Sequence, residues 1–419
     1  MNILLRKVRI QDPSSPFHGS VKDILVAGGI IKAVEDHIEQ EDARVVEAAG
    51  LNVSQGWVDI FADFSDPGYE HKESLETGAM AAAAGGYTHV FLVPNTSPAI
   101  HSKSQVEYII EKSRRLPVSL LPIGAITRNT DGKELAEMYD MKLYDAIAFS
   151  DGFNAVQSAG LLIKALQYVK AINGVIIQIP DDRSINPGGL MNEGIVSTRL
   201  GLPGKPAMAE EIMVARDIKL ARYTDSRLHL TGISSAKSVE YIRRAKDGGI
   251  KVTCSVTPYH LYFTDEDLVS YDTNLKVNLP LRTRRDTEVL MEAVKDGTID
   301  CIATHHQPHE WDSKTCEFEY AKNGMIGLET CFGVLGKLGV SEEKIISLIS
   351  GAPRKIFDLP EATISAGNTA DLTLYTTGEE YVFTESMIRS KSKNTAFTGH
   401  TLKGRVVGIV NKDSLYLND

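Results

Sequence analysis

Short apolar runs recur roughly every 30 residues between positions 56 and 306, and most are followed by a segment with apolar residues at helical spacing. The runs are rich in β-branched residues, as strands are. There are eight of them: 57–64, 88–95, 119–127, 146–151, 175–180, 227–234, 251–258 and 300–306. Eight strand-then-helix units predict an α/β fold of the (β/α)8 barrel type. An open doubly wound sheet is disfavoured because no G-x-G-x-x-G follows the first run.

The two ends of the chain have a different pattern. Residues 1–54 and 360–419 alternate apolar and polar positions as strands do, with turn residues at Gly28-Gly29 and near Gly50. Two sets of strands that flank a barrel can pair with each other. We therefore predict a small composite β-domain from residues 1–54 and 360–419 around a barrel of residues 55–359.

Composition and charge narrow the classes of function. The 419 residues are 42% hydrophobic and 24% charged, with a net charge of -10, which is typical of a soluble globular protein and disfavours nucleic acid or an anionic membrane as partner. No run approaches the ~18 apolar residues of a membrane span, and the first ten residues do not resemble a signal peptide. The four cysteines lack C-x-x-C spacing, which favours reduced thiols. We expect a cytoplasmic protein.

The chemistry of such a barrel lies where its strands end. Phe61 and Asp63 end the first run, two residues apart and so on one face of the strand. The later runs bring one glycine, Gly232, and further polar residues to the same mouth. The polar residues are Asn95, Asp151, Gln178, His229, His305, His306 and His309.

Long motifs make a family resemblance specific. They include D-P-G-Y-E-H-K-E-S-L-E-T-G, P-N-T-S-P, A-F-S-D, M-N-E-G-I-V-S-T-R-L-G-L, D-T-N-L-K-V-N-L-P-L-R and S-K-S-K-N-T-A-F, in that order along nearly the whole chain. The chain resembles dihydroorotases of the multifunctional-complex type, within the amidohydrolase superfamily. The resemblance implies a barrel with a composite β-domain, a zinc site, and reversible hydrolysis of dihydroorotate to carbamoyl aspartate in pyrimidine synthesis.

The family's functional residues are mostly absent at the matching positions. The H-x-H-x-R of its first strand falls on Phe61, Asp63 and Ser65, so two metal ligands and the carboxylate-binding Arg are replaced. Only the bridging carboxylate is kept, as Asp151. The remaining positions hold Gln178 for a ligand His, Gly232 for a second ligand His, and His305 for the Asp that is both ligand and proton shuttle. The resemblance thus implies a degenerate site.

These replacements remove metal-binding capacity. Phe and Gly offer no lone pair, and Gln is a weak neutral ligand for zinc. Loss of one outer-shell partner alone typically costs ~10–100-fold in metal affinity or activity. We predict that the chain holds no zinc and has lost hydrolysis.

The resemblance implies that part of the substrate-binding site is retained. Asn95, Asn278, His309 and Gly324 match positions that hold the substrate in active relatives. Asn95 and Asn278 are explained equally well as ties between loops. The cluster of His305, His306 and His309 is better explained as structural loop residues than as a metal patch.

Three functions follow as hypotheses. The first is a structural or assembly partner of aspartate carbamoyltransferase, because the family contains non-catalytic subunits of that kind; self-association is left open. The second is an active cyclic amidohydrolase that holds one divalent metal through Asp63, Asp151 and His305, against the simpler interpretation of Asp63 as a polar rim residue. The third is a sensor that binds a carboxylated ring through Asn95 and His309, and Ser65 in place of the Arg weakens it.

Overall fold

The computed structural model describes residues 2–418. Its strands are β1 (Asn2–Ile10), β2 (Val21–Ala27), β3 (Ile30–Glu35), β4 (Ala43–Val46), β5 (Asn52–Gln55), β6 (Trp57–Ala62), β7 (Tyr87–Leu92), β8 (Ser119–Pro122), β9 (Val175–Gln178), β10 (Met191–Asn192), β11 (Gly204–Lys205), β12 (Arg227–Leu230), β13 (Val252–Val256), β14 (Cys301–Ile302), β15 (Asp371–Val382), β16 (Thr401–Asn411) and β17 (Ser414–Leu417).

The α-helices of the same residues follow the barrel strands and continue after the last of them. They are α1 (Leu75–Ala84), α2 (Lys103–Ser113), α3 (Met138–Leu143), α4 (Ala159–Ala171), α5 (Ile195–Leu200), α6 (Met208–Thr224), α7 (Ala236–Asp247), α8 (Pro258–Tyr262), α9 (Arg284–Asp296), α10 (Cys331–Lys337), α11 (Glu342–Ile346) and α12 (Ala352–Ile356). Between residues 2 and 418, no helix combines the length and the apolar character that crossing a bilayer requires.

Strands from both chain ends form one sheet of eight strands. Its order is β17-β16-β15-β5-β1-β2-β3, with β4 beside β1. The two ends meet where β15 pairs antiparallel with β5, Leu374 lying opposite Val53. Ile3, Val53, Leu372 and Val410 are fully buried in the core of this domain. The predicted composite β-domain is confirmed.

The barrel consists of two parallel arcs, β6-β7-β8 and β9-β12-β13-β14. Phe149 bridges to Gly124 and to Ile176 on one side, and Ala62 bridges to His306 on the other, so the arcs close into a ring. The predicted barrel is therefore confirmed. Seven of the eight predicted strands are present, whereas the fourth, at 146–151, is reduced to the bridging residue Phe149.

Alternation along the barrel strands divides the core into two layers. Ile60 and Ile177 pack inside the barrel, whereas Ile176 and Leu230 pack between strands and helices. The first helix shows how the outer layer forms: Ser74 caps α1 by accepting a hydrogen bond from the Thr77 amide at 3.2 Å, and the run of alanines that follows is mostly buried. The carboxyl ends of the strands open together at the barrel mouth.

A buried arginine ties the barrel to the β-domain. Arg354 in α12 donates from Nη2 to the Gly56 carbonyl at 2.9 Å and to Asp371 Oδ2 at 2.6 Å, and from Nη1 to the Pro360 carbonyl at 3.0 Å. Both charged side chains are nearly buried. Burial acts to raise the pKa of Asp371, but nearby His89 and Arg354 outweigh it and hold that pKa below its ordinary value.

We expect Arg354→Ala to destabilise the protein by about 3–5 kcal/mol, because it leaves the Asp371 carboxylate buried without its cation. The native pKa of Asp371 is lowered, so its contribution is present above the ordinary carboxyl pKa of about 4 and is lost as pH falls below it. Urea unfolding at pH 7 and at pH 3.5 measures both effects. Lys237→Ala, which breaks an exposed pair with Glu240, is the control and should leave the stability nearly unchanged. Equal losses in the two variants would contradict this role for Arg354.

Candidate active site

The end of the first barrel strand is filled by an aromatic side chain. Phe61 is fully buried within the barrel core. Its ring lies 4.6 Å from the His305 ring, centroid to centroid and tilted by 34°, and 5.4 Å from the Phe153 ring in an edge-on arrangement. Such ring pairs add about 0.5–1.5 kcal/mol beyond the area they bury. Position 61 therefore packs the mouth of the barrel and offers no ligand.

His305 follows β14 and completes this packing. Its side chain is buried, and its backbone has a φ of +47°, a conformation that is rare for residues other than glycine. Nε2 lies 2.7 Å from Thr231 Oγ1, whereas Nδ1 is buried without a hydrogen-bond partner. Burial, reinforced by His260 and His229, lowers the pKa of His305 to about 3. The ring is neutral at physiological pH.

Gly232 provides the space that the His305 ring occupies. A Cβ atom at position 232 would lie 2.7 Å from His305 Cε1, closer than such atoms approach one another. Gly232 also has a φ of +74°, which side-chain-bearing residues rarely adopt. The sequence marks Gly232 only as a missing ligand. The structure shows that a side chain at 232 and the observed position of His305 exclude each other.

Asp63 lies beside this packing and is held by main-chain groups. Its Oδ1 accepts a hydrogen bond from the Ser65 amide at 2.6 Å, and its own amide donates to the His306 carbonyl at 2.8 Å. Burial raises the pKa of Asp63 to about 6, although the hydrogen bonds from Ser65 oppose the rise. These hydrogen bonds within the local turn explain the position of Asp63, and no bound metal is needed to explain it.

Asp151 uses both of its oxygen atoms within the protein. Oδ1 accepts from the Thr127 amide at 2.8 Å and Oδ2 accepts from the Thr127 hydroxyl at 2.5 Å. Burial raises the pKa of Asp151 to about 6, and the Thr127 hydrogen bonds limit the rise. Thr127, which follows β8, therefore donates to both oxygen atoms of the Asp151 carboxylate.

Gln178 is directed toward the helices around the barrel. It pairs across the sheet with Leu230, a residue of the outer layer. Its amide group bonds both main-chain groups of Val156, at 3.3 and 3.4 Å, and also contacts the buried carboxylate of Asp217 in α6. These contacts occupy the Gln178 side chain.

Two of the predicted substrate residues bind other protein groups. Asn95 donates from Nδ2 to the Asp151 carbonyl at 3.1 Å and accepts at Oδ1 from the Phe153 amide at 2.9 Å. Asn278 donates to Asp181 Oδ2 at 3.0 Å, and Asp181 is in turn ion-paired with Lys205. Both asparagines thus tie loops together at the mouth.

The other two predicted substrate residues lie on the loop after the last strand. The His309 amide donates to Asn394 Oδ1 at 3.0 Å and its Nε2 donates to the Asn323 carbonyl at 2.8 Å, while Nδ1 is buried without a partner. Burial lowers the pKa of His309 to about 4. Gly324, with a φ of +117°, packs so closely on Gln307 that a Cβ would meet its Oε1 at 2.2 Å.

The sequence did not identify a buried acid at this mouth. Glu73 is fully buried, 3.7 Å from His306 Nε2, and it accepts hydrogen bonds from the Lys391 amide at 3.0 Å and from the Ser390 hydroxyl. Burial opposes ionisation of Glu73, but His306 and the hydroxyl donors outweigh it and lower its pKa. Glu73 thereby holds the S-K-S-K segment at Ser390 and Lys391. Its place in the D-P-G-Y-E-H-K-E motif was the available sign.

The donor set does not fit zinc. Among residues 2–418 no group of three or more His, Cys, Asp or Glu side chains is placed to hold a metal ion. Of the six positions considered, Phe61 and Gly232 have no donor atom, and Gln178 and Asp151 are occupied by other groups. Of the six, Asp63 and Nδ1 of His305 remain as possible ligands. Catalytic zinc sites, in contrast, have three protein ligands.

Known proteins place the chain in a family. The model of the family described as Dihydro-orotase-like matches residues 50–238. A dihydroorotase of Syntrophus aciditrophicus is 40% identical over 97% of each chain, and a dihydroorotase of Acetivibrio thermocellus is 41% identical over 96% of each.

Solved structures agree on the fold. An L-hydantoinase of Arthrobacter aurescens superposes with a TM-score of 0.86 at 23% identity, covering 99% of this chain and 96% of its own. A dihydropyrimidinase of Brevibacillus agri gives 0.83 at 19% identity, covering 100% and 95%. At these identities the likeness concerns the fold alone. The two relatives confirm the family resemblance found in the sequence: the chain belongs to the dihydroorotase-like family.

Proposed function

We propose that this chain is a dihydroorotase-like protein of cytoplasmic pyrimidine biosynthesis that does not hydrolyse dihydroorotate and instead acts as an assembly partner of aspartate carbamoyltransferase. The observation that carries the first half is the packing of Phe61, His305 and Gly232 where the family has three of its ligands. Packing of this kind stabilises the barrel and leaves no coordination shell.

The chemistry supports this proposal. Opening a cyclic amide near neutral pH needs an activated hydroxide, a polarised carbonyl and a general acid for the leaving nitrogen. His305 stands where the family has its proton shuttle, but a pKa of about 3 leaves it neutral and poorly suited to donate a proton at pH 7. Without a metal to activate water and polarise the carbonyl, His305 alone does not meet these requirements.

The partner role rests on what the chain retains. The barrel, the composite β-domain and the loop motifs are intact around the altered site. Selection on folding and on surfaces accounts for such retention after chemistry is lost. Trp311 and Tyr320, each 73% exposed in the segment after β14, are residues of the kind that dominate protein interfaces.

A second candidate is hydrolysis with a single metal held by Asp63, Asp151 and His305. It is favoured by one observation, the buried Nδ1 of His305, which has no hydrogen-bond partner. It requires Asp151 to give up its hydrogen bonds to Thr127. Metal content and turnover separate the two candidates.

After dialysis against excess zinc and desalting, we expect untagged protein to retain well below one zinc per chain, because only two donors remain. We also expect no turnover of dihydroorotate in either direction. Elemental analysis and a coupled absorbance assay measure these quantities, and His305→Ala should change neither. One zinc per chain that His305→Ala removes, together with turnover, would establish the second candidate.

Gly232→Ala should destabilise the protein by more than the ~1–2 kcal/mol of a left-handed backbone, because the new Cβ also displaces the His305 ring. Gly201→Ala is the matched control: its φ is +69° and nothing lies within 4 Å of the new atom. In the His305→Ala background, the loss of unfolding free energy caused by Gly232→Ala should fall to that of a left-handed backbone alone. The loss caused by Gly201→Ala should be unchanged. Chemical unfolding of the five variants, His305→Ala alone included, measures this coupling, and equal costs at the two glycines would contradict it.

Co-expression with the aspartate carbamoyltransferase of the same organism should yield a stable complex without added zinc, measured by size exclusion with light scattering. A double Trp311→Ser, Tyr320→Ser variant tests the exposed segment, with exposed Tyr223→Ser as control. A carbamoyltransferase that assembles and works equally well without this chain would exclude the partner role and leave the loss of hydrolysis untouched.

A further inference from the structure

A continuous chain of hydrogen bonds runs through the barrel core. Thr253 Oγ1 lies 2.9 Å from His229 Nδ1, and His229 Nε2 lies 3.0 Å from Ser255 Oγ. Ser255 Oγ lies 2.8 Å from Thr231 Oγ1, which lies 2.7 Å from His305 Nε2. Four of the five side chains are buried, and Thr253 is half-buried.

The register of two strands builds this chain. His229 in β12 pairs with Thr253 in β13, so these two residues and the residues two positions further, Thr231 and Ser255, face the barrel interior together. Phe357 packs against His229 at 5.5 Å between centroids, which helps to fix that ring.

The two ends of the chain lie at opposite faces of the barrel. Thr253 lines a cavity of about 540 Å³ at the amino ends of β9, β12 and β13. His305 stands at the mouth, where its Nδ1 has no partner. The hydrogen bonds thus span the interior from the lower cavity to the altered site.

Each link requires one donor and one acceptor, so the whole chain has one direction at a time. Both rings are buried in the barrel interior, and a buried neutral imidazole carries one N–H. If His305 donates from Nε2, then Thr231 donates to Ser255, Ser255 donates to His229 Nε2, and His229 must carry its proton on Nδ1. In the reverse direction His229 carries it on Nε2 and His305 on Nδ1. The two rings must therefore hold opposite tautomers.

We propose that Thr253, His229, Ser255, Thr231 and His305 form a tautomer relay that couples the lower cavity of the barrel to the His305 ring at its mouth. The resting direction is the one in which His305 donates from Nε2, because it leaves a buried acceptor at Nδ1, and a buried donor without a partner is rarer. The relay operates whether or not the chain hydrolyses a substrate.

Reversal of the relay by proton transfer from this resting state conserves charge. When the buried His305 ring is transiently uncovered, its Nδ1 gains a proton from a water molecule at the mouth, and His305 passes its Nε2 proton to Thr231. Thr231, Ser255 and His229 each pass one proton on, and the Thr253 hydroxyl releases one to water in the lower cavity. One proton enters, one leaves, and both rings exchange tautomers.

Nitrogen-15 spectra of the two imidazoles test the relay, with signals assigned through His229→Gln and His305→Gln. In the wild-type protein we expect His229 to be protonated on Nδ1 and His305 on Nε2. Thr253→Val removes the acceptor for His229 Nδ1–H, so both rings should shift toward the reversed tautomers, although Thr253 does not contact His305. Thr253→Ser keeps the hydroxyl and should retain the wild-type pattern.

Ser255→Ala provides the second variant, because it breaks the middle of the relay. In the double variant Ser255→Ala, Thr253→Val, His305 should give the same nitrogen signals as in Ser255→Ala alone. The proposal is overturned if both rings hold the same tautomer in the wild-type protein. It is also overturned if Thr253→Val alters His229 and leaves the nitrogen signals of His305 unchanged.

Discussion

The contact between the rings of His305 and Phe61 is the interaction on which the rest of the site depends. It requires that position 232 carries no side chain, that position 61 is aromatic, and that the backbone of His305 adopts a left-handed conformation. Backbone strain of that kind costs about 1–3 kcal/mol and persists only where surrounding packing imposes it. Phe61, Gly232 and His305 are therefore parts of one packed arrangement.

The surrounding groups adapt to this arrangement in the same way. Thr127 engages the retained Asp151, Val156 engages Gln178, and the amide of Ser65 engages Asp63. Burial of polar groups is tolerated where hydrogen bonds compensate for lost water, and here the protein itself supplies most of them. The exceptions include Ser65 Oγ, His306 Nε2, and the Nδ1 atoms of His305 and His309. Burial lowers the pKa of His305 and of His309, so their Nδ1 atoms are weakly basic.

The fold could largely be predicted from the sequence, because apolar periodicity reports directly on strands and helices. The run at 146–151 was the exception: its apolar character predicts a strand, yet only Phe149 forms bridges to both neighbours. The positions that line the site could also be identified, since each lies in a motif. What fills the site could not, because the φ of His305 and its approach to Gly232 depend on loop conformation. The relay was missed for a related reason, since it follows from the register of β12 on β13, which the sequence does not specify.

Anomalous X-ray diffraction at the zinc absorption edge, from crystals grown with zinc in excess, distinguishes a packed site from a metal site. It locates both the metal and the rings in one experiment. We expect no anomalous peak among Asp63, Asp151 and His305, and density for the His305 ring stacked on Phe61 next to Gly232. A peak bonded to His305 Nδ1 and to either carboxylate, with the ring turned away from Phe61, would contradict it.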